Sequence, residues 1–197
     1  MERPASTDHP INELFARRWS GRQIDTSRPV SDEQLRILLE AARWAPSSFN
    51  EQPWRYLVFD KSDPDALRKA HECLTEGNAW AKQAPVLLLS VAKETFSRNG
   101  NPNRHCAHDV GAASISLALQ AADLGMMAHQ MAGFNASKAK AAFNIPDGFT
   151  PMAMIAVGYH LPADALTDEQ REKYAQPRSR KPLAEIASRG SWDSTLS

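Results

Sequence analysis

The sequence predicts one domain that mixes helices and strands. Three observations predict it. Four short apolar runs have the length and residue types of strands: 54–59, 85–92, 126–132 and 151–158. Segments with helical spacing and clear start and stop signals lie between them. At 197 residues the chain is long enough for one real core and too short for two full domains.

Residues 1–9 read as disordered, and Ile11, Leu14 and Phe15 set a short helix behind Pro10 that runs to about Arg18. Val30-Ser31-Asp32-Glu33-Gln34-Leu35 is a helix start, with Ser31 and Gln34 at capping-box spacing and Val30 and Leu35 as a hydrophobic staple. Leu35, Leu38, Leu39 and Ala42 share the face of that helix that covers a core. Trp54 to Phe59 then alternates as a strand, and Ser62-Asp63-Pro64 opens a helix carrying Leu67 and Ala70. Val86 to Ala92 is apolar throughout and suits a buried strand, while 94–104 is a polar loop. From about Arg104 to Leu124 a helix carries Val110, Ala113, Leu117 and Ala121 on one stripe and small residues elsewhere, and Gly125 stops it. Such a helix must be enclosed, either by the chain's own core or by a homodimer interface. Met126 to Ala132 is a third strand, Ser137 to Phe143 a short helix, and Pro151 to Gly158 a fourth strand. Residues 161–197 are charged, contain three prolines and read as an extended arm without a core.

Composition excludes several classes. The formal net charge is zero, which gives no bulk attraction to nucleic acid or anionic membrane. Cys73 and Cys106 form no metal-ligand spacing and no disulfide framework, in keeping with a reducing cytosol. The first ten residues carry charges of both signs and no apolar run, so they do not read as a signal peptide. The most apolar helix contains His108, Asp109, Gln120 and Asp123 and reads as buried, not membrane-spanning.

Two stretches carry chemistry. In Ala45-Pro46-Ser47-Ser48-Phe49-Asn50-Glu51-Gln52-Pro53-Trp54 two prolines stiffen a loop whose hydroxyls and amides both donate and accept. It is either an ordinary helix-to-strand turn or a cradle for a flat heterocycle edged with carbonyls and ring nitrogens. Arg17-Arg18-Trp19-Ser20-Gly21-Arg22 offers guanidinium forks and a hydroxyl to a phosphate, or else simply complements a helix C-terminal dipole. A second basic cluster, Arg178-Ser179-Arg180-Lys181, lies in the arm.

These pieces occur together, in this order, in a known family. The sequence resembles the nitroreductase family of FMN-dependent oxidoreductases in its short-chain form. The resemblance rests on Arg18 to Arg22, Ala45 to Trp54, Asn78-Ala79-Trp80 ahead of Ala84-Pro85, His129 to Phe134, and Arg180 to Leu183. It implies an α+β fold: a central mixed, mainly antiparallel sheet flanked by helices, in an intertwined homodimer with FMN at the interface. It implies one FMN-binding domain over residues 1–197, with the arm of 161–197 reaching over the partner. It assigns Arg18, Ser20 and Arg22, with Arg178 and Arg180 from the far end of the chain, to the FMN phosphate and ribityl region. Pro46, Ser47, Ser48 and Asn50 would contact the isoalloxazine and ribityl chain, with the serines supplied by the partner. Asn78 would touch the ring, and Gln130, Met131, Ala132 and Gly133 would pass beside it, main chain facing the reactive edge at N5 and O4. Ala132 stands where many long-chain members carry an acid. Trp19, counted with the cofactor-binding group, stands where a smaller or basic residue is usual, so stacking or packing is expected of it.

The implied activity is a ping-pong cycle in which NAD(P)H reduces FMN at N5 and an electron-poor acceptor such as a nitroaromatic, quinone or enone is then reduced at the same place. No catalytic side chain is named, because the cofactor carries the chemistry. His129 reads as a packed or surface histidine, since strand neighbours face opposite ways. No Gly-x-Gly-x-x-Gly follows a strand, so NADH or NADPH binds transiently over the flavin. Two rivals stand beside this: a specialised reductase of one pathway aldehyde or acrylate, and a protein that binds or stores FMN without turnover.

Overall fold

The computed structural model describes residues 3–195. Four strands, β1 (Trp54–Asp60), β2 (Val86–Lys93), β3 (Met127–Met131) and β4 (Phe149–Gly158), form one sheet in the order β1-β2-β4-β3. All three pairings are antiparallel, with Val58 opposite Leu88, Leu88 opposite Ile155, and Gln130 opposite Ile155. The central strands β2 and β4 are covered on both faces, which is why their sequences are continuous apolar runs. The register of β2 on β4 slips between Ser90 and Val91, leaving Met152 as an extra residue beside Pro151. A bulge is where a central strand tolerates a proline, which has no N–H for the ladder.

The side-chain period of two divides the core. Trp54, Val86, Leu88, Ala128, Ile155 and Val157 pack beneath α2 (Asp32–Arg43) and α4 (Cys106–Asp123). Phe59, Leu87, Leu89, Met127, Met131 and Met154 pack on the other face beneath α3 (Pro64–Cys73), α5 (Ala136–Ala142) and a 3₁₀ segment, Glu76–Gln83. Leu87, Leu88 and Leu89 are fully buried, and each such leucine stabilises the fold by about 1.5–3 kcal/mol.

The local signals act as expected. Ser31 Oγ accepts from Gln34 N at 3.1 Å and Gln34 Oε1 accepts from Ser31 N at 3.0 Å, closing the capping box of α2. Asp63 caps α3, accepting from Ala66 N at 2.9 Å. Gly125 ends α4 with φ +68°, which a Cβ would disfavour. The chain's own core covers Val110, Ala113, Leu117 and Ala121 of α4, while Gly111 and Ile115 on its outer side stay exposed. Among the described residues no helix is long and apolar enough to cross a membrane.

Two expectations are corrected at the termini. The N-terminal stretch is tied down: Ala5 N donates to Ala16 O at 2.9 Å, and the Arg3 guanidinium donates to Gln176 O. Residues 1 and 2 lie outside the described residues. The arm docks on its own chain over its first half. A 3₁₀ turn, Ala163–Ala165, leads to α6 (Asp168–Ala175), and Leu166 and Tyr174 are buried against Trp19 beside Leu161. Two anchors eight positions apart are too few to show as a helical stripe, which is why the sequence pattern missed α6. Among the described residues the rest of the arm forms one further helix, α7 (Leu183–Ile186), and exposes Leu183, Ile186 and Trp192. Residues 196 and 197 of the expected arm lie outside the described residues.

Candidate functional site

The chain leaves α1 (Glu13–Arg17) at Arg18 and bends back along the end of the sheet. Arg178, from the arm, holds this bend. Its guanidinium donates to the carbonyls of Arg3 and Ala16 at 2.7 Å each and of Arg18 at 3.0 Å. Arg18 Nη1 lies 3.4 Å from Ser20 Oγ. Burial and then the charge of Arg180 push the Arg18 pKa below its ordinary value, and burial followed by Arg18 and Arg180 does the same to Arg178. The two basic clusters, 160 residues apart in sequence, therefore meet. Among the described residues no carboxylate pairs with Arg18, Arg178 or Arg180. Concentrated positive charge without a counter-charge is what an anion site looks like before its anion arrives.

The same bend touches the end of β3 and the 3₁₀ segment. His129 Nδ1 donates to Gly21 O at 2.8 Å, and burial lowers the histidine's pKa. Its ring lies 4.7 Å from that of Trp80, and the Arg22 guanidinium sits 6.0 Å from the Trp80 ring. Asn78 Nδ2 and Thr75 Oγ1 both donate to Gly133 O at 2.9 Å. A Cβ on Gly133 would lie 2.5 Å from Asn78 Nδ2, so the close approach that this glycine permits is by its own chain. Gln130 and Ala132 are exposed and Met131 is buried in the core. Arg18, Ser20, Arg22, Asn78, Gln130 to Gly133, Arg178 and Arg180 thus gather at one end of the molecule. Trp19, in the same bend, turns its side chain into the packing. The indole is buried, stacked on His160 at 4.4 Å and set edge-on to Tyr174, whose hydroxyl accepts from the N–H groups of Arg22 and Gln23. Burial pushes the pKa of His160 down to about 4, so that ring stacks uncharged. The packing of Trp19 fixes the arginine bend, and Trp19 lines the same cavity as Arg18.

Pro46, Ser47, Ser48 and Asn50 lie elsewhere. Their loop runs through a 3₁₀ turn, Ser48–Asn50, at the N-terminal end of α4, where Ser48 N donates to the buried Asp109 carboxylate at 3.0 Å. Gln52 N donates to Ser47 Oγ at 3.0 Å. Three non-glycine residues take left-handed backbone, Phe49 at φ 53°, Asn50 at 54° and Gln52 at 51°, a conformation that costs roughly 1 kcal/mol each. Glu51 holds the strained turn from beneath. Its carboxylate accepts from Lys93 Nζ, Ser97 N and Ser97 Oγ at 2.6–2.9 Å, and these partners hold its pKa at about 2. Arg18, by contrast, lines a cavity of about 280 Å³ with Ala118, Ala122 and Gly125 at the C-terminal end of α4. Asp109, which holds the turn, and Ala122, which lines the cavity, stand 13 residues apart on α4, about 20 Å along its axis.

Sequence reasoning gave no site role to Asp109, Glu51 or Tyr174. Asp109 left a signal, an acid on the buried stripe of an otherwise apolar helix, which must find a donor. The other two gain their roles from partners distant in sequence.

Residues 15–159, which hold all four strands, match the model of the Nitroreductase family. The chain belongs to the nitroreductase family. This nitroreductase-family chain is 39% identical over 124 residues to an uncharacterized 15.4 kDa protein of Mycolicibacterium smegmatis, a match covering 62% of this chain and 82% of that one. It is 42% identical over 95 residues to the major NAD(P)H-flavin oxidoreductase of Aliivibrio fischeri, covering 46% of this chain and 43% of the relative. A crystal structure described as an oxidoreductase containing FMN superposes with a TM-score of 0.87 at 38% identity over 97% of each chain. That superposition covers more of the chain than residues 15–159.

Proposed function

We propose that this chain, an FMN-dependent NAD(P)H oxidoreductase of the nitroreductase family, passes reducing equivalents to an electron-poor acceptor from a site shared by two copies of itself. The observation that carries the reading is the separation of the two candidate regions along α4. One has cations without an anion. The other has neutral hydrogen-bonding groups on a stiff turn. An isologous dimer across the exposed outer side of α4 would bring the Pro46–Asn50 turn of one copy to the arginine bend of the other, twice.

The residues present fit FMN. Arg18, Ser20, Arg22 and Arg180 would hold the phosphate, and Arg178 would keep Arg18 in place through the carbonyl bonds it already makes. Ser47, Ser48 and Asn50 of the partner copy would edge the ring, with the main chain at Ala132 and Gly133 on its other side. Bound FMN supplies the two-electron chemistry, taking reducing equivalents from NADH or NADPH and giving them to a nitroaromatic, quinone or enone. Donor and acceptor would occupy one place in turn, a ping-pong order, in keeping with a sequence in which no Gly-x-Gly-x-x-Gly follows a strand. His129 donates Nδ1–H to Gly21 O, which fixes its ring beside Trp80, and no catalytic step is assigned to it. Cys73 and Cys106 are free thiols, which suits a reducing compartment such as the cytosol.

The test is an absorbance spectrum of the purified protein, repeated anaerobically with NADH or NADPH. Flavin bands that bleach, and recover on adding acceptor, support the reading. Bands that persist favour FMN storage. Protein that neither holds nor takes up FMN overturns the assignment. A panel of acceptors in which one aldehyde or acrylate far outruns the rest favours the specialist.

A further inference from the structure

The turn that the proposed function places beside the flavin ring carries one group it has not used. Phe49 holds a left-handed backbone, and its side chain is 72% exposed. An aromatic residue kept in that conformation with its ring in water has no packing reason to be there. Its neighbours come from the loop after β2. The Phe96 ring stands edge-on to Phe49 at 5.7 Å and 86°. The Arg98 guanidinium lies 4.1 Å from the Phe49 centroid and 5.5 Å from that of Phe96. Two rings and one cation thus form an open corner, held to the turn because Glu51 ties both segments through Lys93 and Ser97.

Charge at this corner is unbalanced. Among the described residues no carboxylate comes within ion-pairing distance of Arg98. The acid on the same turn, Glu51, is already engaged by Lys93. A guanidinium whose face rests on an aromatic ring keeps its N–H donors free around its edge, in the plane that suits a phosphate or carboxylate. The stacking also removes rotamer freedom before any ligand binds, so less is lost on binding.

We propose that Arg98, stacked on Phe49 and Phe96, is a specificity residue that selects flat substrates bearing an anionic group. The inference rests on the reading that this turn borders the flavin ring. One chemistry has two sources: the 2′-phosphate of NADPH on the donor side, or a carboxylate on an aromatic acceptor. Arg98 touches that group and not the reacting atoms, so it acts on binding and leaves the rate of the saturated enzyme alone.

The experiment compares the FMN-loaded wild type with Arg98→Gln, Arg98→Glu and Arg98→Lys on matched pairs, NADPH against NADH and 4-nitrobenzoate against nitrobenzene. Arg98→Gln is expected to lower kcat/KM for the charged member of a pair about tenfold through KM, Arg98→Glu more, and Arg98→Lys less. The neutral member should hold its rate. A loss confined to NADPH assigns the donor, and a loss confined to nitrobenzoate the acceptor. Calorimetric titration with 2′,5′-ADP against 5′-AMP, and with 4-nitrobenzoate against nitrobenzene, reads binding without turnover and should show the same ratio. Charged and neutral members that change together, or not at all, overturn the proposal. Wild-type turnover of NADH and nitrobenzene shows that the underlying reading stands whichever way the Arg98 result falls; its absence points to that reading instead.

Discussion

At the arginine bend the charge is concentrated and the backbone relaxed; at the Pro46–Gln52 turn the charge is cancelled and the backbone strained. No residue of 17–22 or 176–180 has a left-handed φ, whereas three of 49–52 do. Arg18 and Arg178 stay crowded because Trp19, Tyr174 and three backbone carbonyls hold them. The turn stays strained because Asp109 of α4 grips Ser48 and Lys93 of β2 grips the turn's own Glu51. One region lacks a counter-charge and the other already holds its shape, so a ligand would contribute neutralisation at the first and find pre-organisation at the second. Both regions lie against α4, one towards each of its ends.

The harshest way to break this comparison is to disable one region in each of two chains. Arg18→Ala and Asn50→Ala chains, each inactive alone, should regain about a quarter of wild-type activity when mixed as random two-fold dimers, because each heterodimer rebuilds one intact site. No recovery, with mixed dimers confirmed by mass, would put both regions in one subunit's site. Within the arginine bend, Arg18→Ala should weaken FMN binding tenfold to a hundredfold, read by quenching of flavin fluorescence. Within the turn, Asp109→Ala strands the Ser48 N–H and should cost about 1–3 kcal/mol in urea unfolding, with FMN affinity recovering in Asp109→Asn, which keeps an acceptor oxygen.

Acid sharpens the contrast. Glu51 has its pKa depressed from the usual carboxylate range to about 2. Its contribution is complete above the unfolded value near 4.3 and fades as pH falls towards 2. Glu51→Gln should flatten the stability curve in that window, and a variant that tracks the wild type there would remove the role given to this tie. The smallest effect has opposite signs in two states. Arg180→Gln should weaken FMN binding yet leave the flavin-free chain no less stable, with a slight gain at low ionic strength that salt erases.

Much of the fold was legible in the sequence. The capping box at Ser31, the cap at Asp63, the stop at Gly125 and the four strands all depend on residues within a few positions of one another. The family was legible for a different reason, since short motifs in a fixed order resemble it, and the candidate site residues follow from those motifs. What stayed hidden depends on distance. Leu166 and Tyr174 make a core only because Trp19 is there to receive them. Gly133 is hemmed in by Asn78 and Thr75 from the 3₁₀ segment, a reason for glycine that its own neighbours in sequence do not contain.

The sequence by itself determined the elements, the two faces of each central strand, and the residue types able to hold a phosphate and a flat ring, because periodicity, caps and side-chain chemistry are local. Only the tertiary structure decided that Arg178 braces Arg18, that Trp19 packs on His160, and that the Pro46–Gln52 turn sits at the far end of α4 from the arginines. Those are contacts between segments up to 175 residues apart, set by how the helices lie on the sheet, and no local pattern encodes them.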